Sequence, residues 1–103
     1  MPQKIIKEEA ENLLRNVEPE RCFWVNNGPV ISNLEGLQAT LKEMGKETFS
    51  HHVNKEKNDF SVWIDQVIGD KVLAKELLKV KSKETFLKKV ESRVSILKKA
   101  ASR

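Results

Sequence analysis

Apolar residues recur at helical spacing along this chain in every stretch but one. Ile6, Ala10, Leu13, Leu14 and Val17 form the first stripe, with Lys7, Glu8, Glu11 and Arg15 opposite. Pro2 suits a first helical position, because the N–H it lacks has no partner there. Pro19 disfavours helical geometry at Glu18, so this helix is predicted to stop near Val17. Leu34, Leu37, Leu41 and Met44 form the second stripe. Ser32-Asn33-Leu34-Glu35 ahead of it reads as a capping box, and Gly45 behind it suits a left-handed C-cap. Phe49, His52 and Val53 predict a short third helix that breaks at Asn54-Lys55-Glu56-Lys57. Asn58-Asp59 offers an N-cap to a helix with Phe60, Trp63, Ile64 and Val67 on one face, ended by Gly69. Asp70 can cap a helix with Leu73, Leu77, Leu78 and Val80 as its apolar positions. Ser82 can cap a last one, from Lys83 to about Ala101.

The exception is Cys22-Phe23-Trp24-Val25, followed by Asn26-Asn27-Gly28-Pro29 and Val30-Ile31. Asn-Gly between apolar runs predicts a hairpin with a type I′ turn. A lone hairpin is marginal in water, so this one must lie on the helices. The expected fold is therefore mainly α: a compact bundle of about six short helices with one small β-hairpin. At 103 residues, spanning 1–103 without internal repeat or linker, it is expected to be a single domain.

Composition narrows this further. An apolar fraction of 39% beside a charged fraction of 33% is a globular balance. No apolar run approaches the ~20 residues that cross a bilayer. Lys4, Lys7, Glu8 and Glu9 interrupt the first turns and leave no signal-peptide core. Cys22 is the only cysteine, which excludes an intrachain disulfide. The expectation is a cytoplasmic protein without membrane contact.

The net charge of +4 conceals an asymmetry. Residues 1–69 carry eight basic and eleven acidic side chains, whereas residues 70–103 carry eleven basic and four acidic ones. On the last helix, residues 82–101, Phe86, Leu87, Val90, Val94, Leu97 and Ala101 share the arc expected to face the core. Lys88, Lys89, Arg93, Lys99 and Arg103 gather on a second arc, and Ile96 falls among them. A charge run is ordinarily a solvated face. An apolar residue inside it points instead to a basic rim around a protein contact, and the cations alone to a phosphate-tracking surface. These six residues are the candidate binding site.

Catalytic chemistry finds no foothold. His51 and His52 are adjacent and point about 100° apart on a helix, which cannot easily serve one metal ion. A site built from His52, Asp59 and Cys22 is conceivable but disfavoured by metal-ligand rules, and no other set of three or four ligands has usable spacing. The four glycines stand singly, so there is no phosphate-cradling loop. Cys22, beside Phe23 and Trp24, reads as a small buried hydrophobe. His52 reads as a part-buried histidine satisfied by a carboxylate such as Asp59. No catalytic residue, metal or cofactor is expected.

His52, Asn58-Asp59-Phe60, Trp63-Ile64, Val67-Ile68-Gly69-Asp70 and Leu73-Ala74 carry a resemblance, joined upstream by Phe23-x-Val25, Gly28, Ile31 and Leu34-x-x-Leu37. Across residues 22–80 the chain resembles a family of small prokaryotic, mainly archaeal, domains of unknown function, with a histidine followed by Asp-Phe-x-x-Trp. The shorter spacing from His52 to Asp59 departs from many of its members. The resemblance implies a compact helical domain and no reaction. The sequence thus favours a non-enzymatic module that binds a protein partner. RNA or DNA binding through the basic C-terminal helix is the alternative, and a small-ligand pocket near Trp24, His52 and Trp63 is a third. Partner identity and oligomeric state are not legible.

Overall fold

The computed structural model describes residues 5–102. Pro2 and Arg103, a predicted helix start and a predicted basic contact, lie outside them. Helix α1 spans Lys7–Leu14 and so ends before Val17. Arg15 turns extended, and its guanidinium reaches the carbonyls of Val67 at 2.9 Å and Ile68 at 3.0 Å. That contact places a cation on the last carbonyls of another helix, where the backbone dipole favours it. Ile6, assigned to the apolar stripe, precedes the helix with extended backbone and is 60% exposed; Ile5 takes the buried place.

After a short 3₁₀ turn, Pro19–Arg21, strand β1 (Phe23–Trp24) pairs antiparallel with β2 (Val30–Ile31), Phe23 opposite Ile31 and Trp24 opposite Val30. The hairpin is present but its type I′ turn is not. That turn would need an N–H from Pro29 to close on Asn26, and proline has none. Instead the Gly28 N–H closes on the Val25 carbonyl at 3.0 Å, with Asn27 at φ 57°. A Cβ on Gly28 would lie 2.9 Å from Val25 Cγ1, which is why glycine stands there.

Helix α2 (Leu34–Glu43) starts one residue later than a cap at Ser32 requires. Asn33 is the cap, its side-chain oxygen accepting the Gly36 N–H at 2.6 Å. Glu35 turns away to Lys98 at 3.1 Å, so no capping box forms. Gly45 is not left-handed either; with φ −75° it leads into α3 (Lys46–His52), and buried Met44 ends α2 in extended geometry.

The next three caps lie where the sequence predicts them. Asn58 caps α4 (Asp59–Trp63), Asp70 caps α5 (Lys71–Leu77) and Ser82 caps α6 (Lys83–Ala101). Between α4 and α5 the chain makes one π-helical turn, Ile64–Ile68, closed by Gly69 at φ 89°. The Ile64 carbonyl accepts from both Gly69 and Asp70 there, so the wider turn leaves Ile64 and Ile68 both buried. Leu78 falls beyond the end of α5 and is largely exposed, not part of its apolar face.

Helices α1 and α2 lie against α6, and α5 touches it from a third side. Phe60 sits fully buried at the centre, its ring 4.7 Å from Phe23, 5.2 Å from His52 and 5.8 Å from Phe86. Buried polar groups close the helix ends: Asn58 Nδ2 donates to the Leu77 carbonyl and Ser61 Oγ to that of Ala74. Trp63 is buried, and its Nε1–H donates to the Arg21 carbonyl at 2.8 Å. Trp63→Ala is therefore expected to cost about 3–5 kcal/mol in urea unfolding. Trp63→Phe should cost far less, mainly the hydrogen bond at about 1 kcal/mol. An unchanged melting temperature for Trp63→Ala would contradict its place in the core.

Candidate functional site

Arg93, expected on the exposed basic arc, is only 7% exposed. Its Nε donates to Asp70 Oδ2 at 2.7 Å and its Nη2 to Asp70 Oδ1 at 2.9 Å, a two-pronged ion pair across α5 and α6. The same Oδ1 accepts the Leu73 N–H at 3.1 Å and so caps α5. A buried carboxylate needs this many donors, because burial without them costs several kcal/mol. The guanidinium fork supplies two in one plane.

Arg93 nevertheless reaches a surface. A groove of about 1130 Å³ runs between α5 and α6, and Lys88, Lys89, Arg93 and Ile96 line it together. Four of the six predicted binding residues are thus neighbours. Lys99 is exposed but outside the groove, and Arg103 lies beyond the described residues. Sequence reasoning missed the opposite wall, where α5 contributes Val72, Lys75 and Glu76. Helical spacing alone would have put these three on one face of α5, but nothing in the sequence says which helix faces them.

Ile96, 50% exposed, Val72, 38% exposed, and buried Ile5 are the apolar residues of the groove's lining. Lys75, Lys88 and Lys89 form no ion pair among the described residues, whereas Lys42, Lys57, Lys71 and Lys98 each do. The groove thus mixes apolar side chains with cations, and Glu76 is the one carboxylate lining it among the described residues.

His52 is satisfied as the sequence predicts. Its Nδ1 lies 3.0 Å from Asp59 Oδ2, and its Nε2 accepts the Asn26 N–H at 3.0 Å. A backbone N–H only donates, so Nε2 carries no proton and Nδ1–H donates to the carboxylate. Neither nitrogen is left for a substrate or a metal. The Cys22 thiol donates to the Glu18 carbonyl, and no group of three or more metal-ligating side chains gathers among the described residues. No described helix is long and apolar enough to cross a membrane. Of the residues of the third alternative, a ligand pocket near Trp24, His52 and Trp63, the structure sets Phe23 between two, edge-on to His52 at 5.0 Å and to Trp63 at 5.9 Å, while Trp24 turns outward, 74% exposed.

No family model, no curated protein and no solved structure matches this chain.

Two measurements check this geometry. Arg93→Met leaves the Asp70 carboxylate buried without its cation and is expected to cost about 3–5 kcal/mol. Combining it with Asp70→Asn should cost clearly less than the two changes added, a coupling that a double-mutant cycle reads directly. Asp59 provides the second. Burial pushes its carboxyl up, but the hydrogen bonds from His52 and from Lys57 outweigh burial and hold it below its ordinary value of 3.8. Its contribution to stability is thus fully present above that value and fades as pH falls through the lower folded-state value. Asp59→Asn should flatten the stability curve on the acid side of 3.8 and leave its slope near neutral pH unchanged.

Proposed function

We propose that this chain is a non-enzymatic interaction module that binds a protein partner along the groove between α5 and α6. The observation that carries this function is the mixed lining of the groove. Ile5, Val72 and Ile96 offer apolar contact, while Lys75, Lys88 and Lys89 line the same groove without partners among the described residues. Protein interfaces combine apolar contact with polar and charged groups in this way. The fully satisfied His52 and the rings packed against Phe23 support a role without chemistry.

Nucleic-acid binding through α6 is the second proposal, favoured by the same unpaired lysines together with exposed Lys99. Against it, no aromatic side chain lines the groove to stack on bases, and Glu76 would face a phosphate backbone. The two proposals part on salt and on Ile96. Each phosphate contact adds about −0.9 to the slope of log affinity against log salt on duplex DNA. Apolar contact adds no such term.

Ile96→Asp should keep the melting temperature, because the side chain is half exposed. It is expected to cut recovery of nuclease-resistant partners from native lysate by about tenfold, roughly 1.4 kcal/mol. Partners that vanish on nuclease treatment, or that bind the variant as well as the parent, would overturn protein binding at this groove.

A further inference from the structure

We propose that the groove receives an acidic amphipathic helix of about three turns, and that Arg93 Nη1 is its carboxylate anchor. This rests on the protein-binding function above and adds the chemistry of the partner. On α6 the groove-lining positions Thr85, Lys88, Lys89, Ser92 and Ile96 follow one another at helical spacing. They make one continuous face about 16 Å long at the α-helical rise, the length of about three turns of a docked helix. Thr85 and Ser92 are small, so a second helix can approach closely between the lysines. Both walls are helical, and no strand edge borders the groove to pair with an extended peptide.

Charge decides the sign of the partner. Three lysines line the groove against one carboxylate among the described residues, Glu76, and Asp70 balances the charge of Arg93. Arg93 is the most selective of the cations. Its side chain is only 8% exposed, and Asp70 occupies Nε and Nη2, while Nη1 forms no hydrogen bond among the described residues. No fully buried side-chain nitrogen lacks a partner among the described residues, so Nη1 is not sealed off completely, and Arg93 is part of the groove lining. Asp70 fixes the guanidinium plane in advance, so a carboxylate arriving at Nη1 meets a donor that loses little freedom on binding. The repulsion between that carboxylate and Asp70 is offset by Lys88 and Lys89 on the same face. The apolar face of the partner helix would meet Val72 and Ile96, whose exposed surface a phosphate backbone leaves unused.

The test is an amide-resolved NMR titration of the full chain with three synthetic helical peptides of about 16 residues, sharing one leucine stripe. Their flanking positions are glutamate, glutamine or lysine. At roughly 50 mM salt the glutamate peptide should shift amides within 72–76 and 85–96, saturating below about 1 mM. The glutamine peptide should bind at least about tenfold more weakly, and the lysine peptide should leave these amides unshifted. Lys88→Glu combined with Lys89→Glu should weaken the glutamate peptide by about tenfold or more without moving the melting temperature. Arg93→Lys keeps a cation for Asp70 but removes Nη1, and should weaken the same peptide several-fold. Equal binding of the three peptides, shifts centred elsewhere, or a larger response to a duplex DNA or RNA probe would overturn the proposal. If Ile96→Asp abolishes nuclease-resistant capture while no peptide binds, protein binding stands and the acidic helix falls. If capture is also unaffected, both fall.

Discussion

Asp70 and Arg93 join three parts of the fold at one point. Asp70 follows the left-handed Gly69 that ends the π turn, opens α5 through the Leu73 N–H, and holds α6 through both prongs of Arg93. Breaking any one of these links leaves charge or backbone polarity buried without a partner, which a domain of marginal stability tolerates poorly. The pair also ties α5 to α6, and Arg93 belongs to the lining of the groove between them.

The groove follows from unequal lengths. Helix α6 has 19 residues, and α1 and α2 cover it on two sides. On the third side α5 has only seven residues, which leaves part of α6 without a neighbour. A buried helix would fill that face with apolar residues, and a fully solvated one with charge alone. This face has both, with Ile96 among lysines that lack carboxylate partners. Such a surface suits a neighbour that comes and goes.

Elsewhere the molecule spends its polar groups on itself. His52 is bound on both nitrogens, by Asp59 and by the Asn26 N–H, which ties the hairpin loop to α3 and α4. Asn58, Ser61 and Arg15 close helix ends, and no buried side-chain polar atom lacks a partner among the described residues. The rings of Phe23 and Phe60 pack against His52, and Trp63 packs against Phe23.

The sequence by itself determined the fold class, most positions of the helical faces and three of the caps. Those depend on local rules: the 3.6-residue period, the reach of Asn58, Asp70 and Ser82 side chains to N–H groups three residues on, and the left-handed freedom of Gly69. It also contained the His52–Asp59 pair, because both residues flank one short loop. The failures in local reading came from competing chemistry close by. Asn33 outcompeted Ser32 as a cap, and Pro29 had no N–H for a type I′ turn. The position of Arg93 was different, since a helical wheel shows angle but not neighbour. Only the tertiary structure could place Asp70 opposite it, 23 residues away in sequence, and turn a surface cation into a buried one. The same holds for Arg15 on the Val67 and Ile68 carbonyls and for Val72 and Lys75 across from Lys88. Contacts between distant elements are set by packing, and periodicity along one helix carries no information about which helix lies beside it.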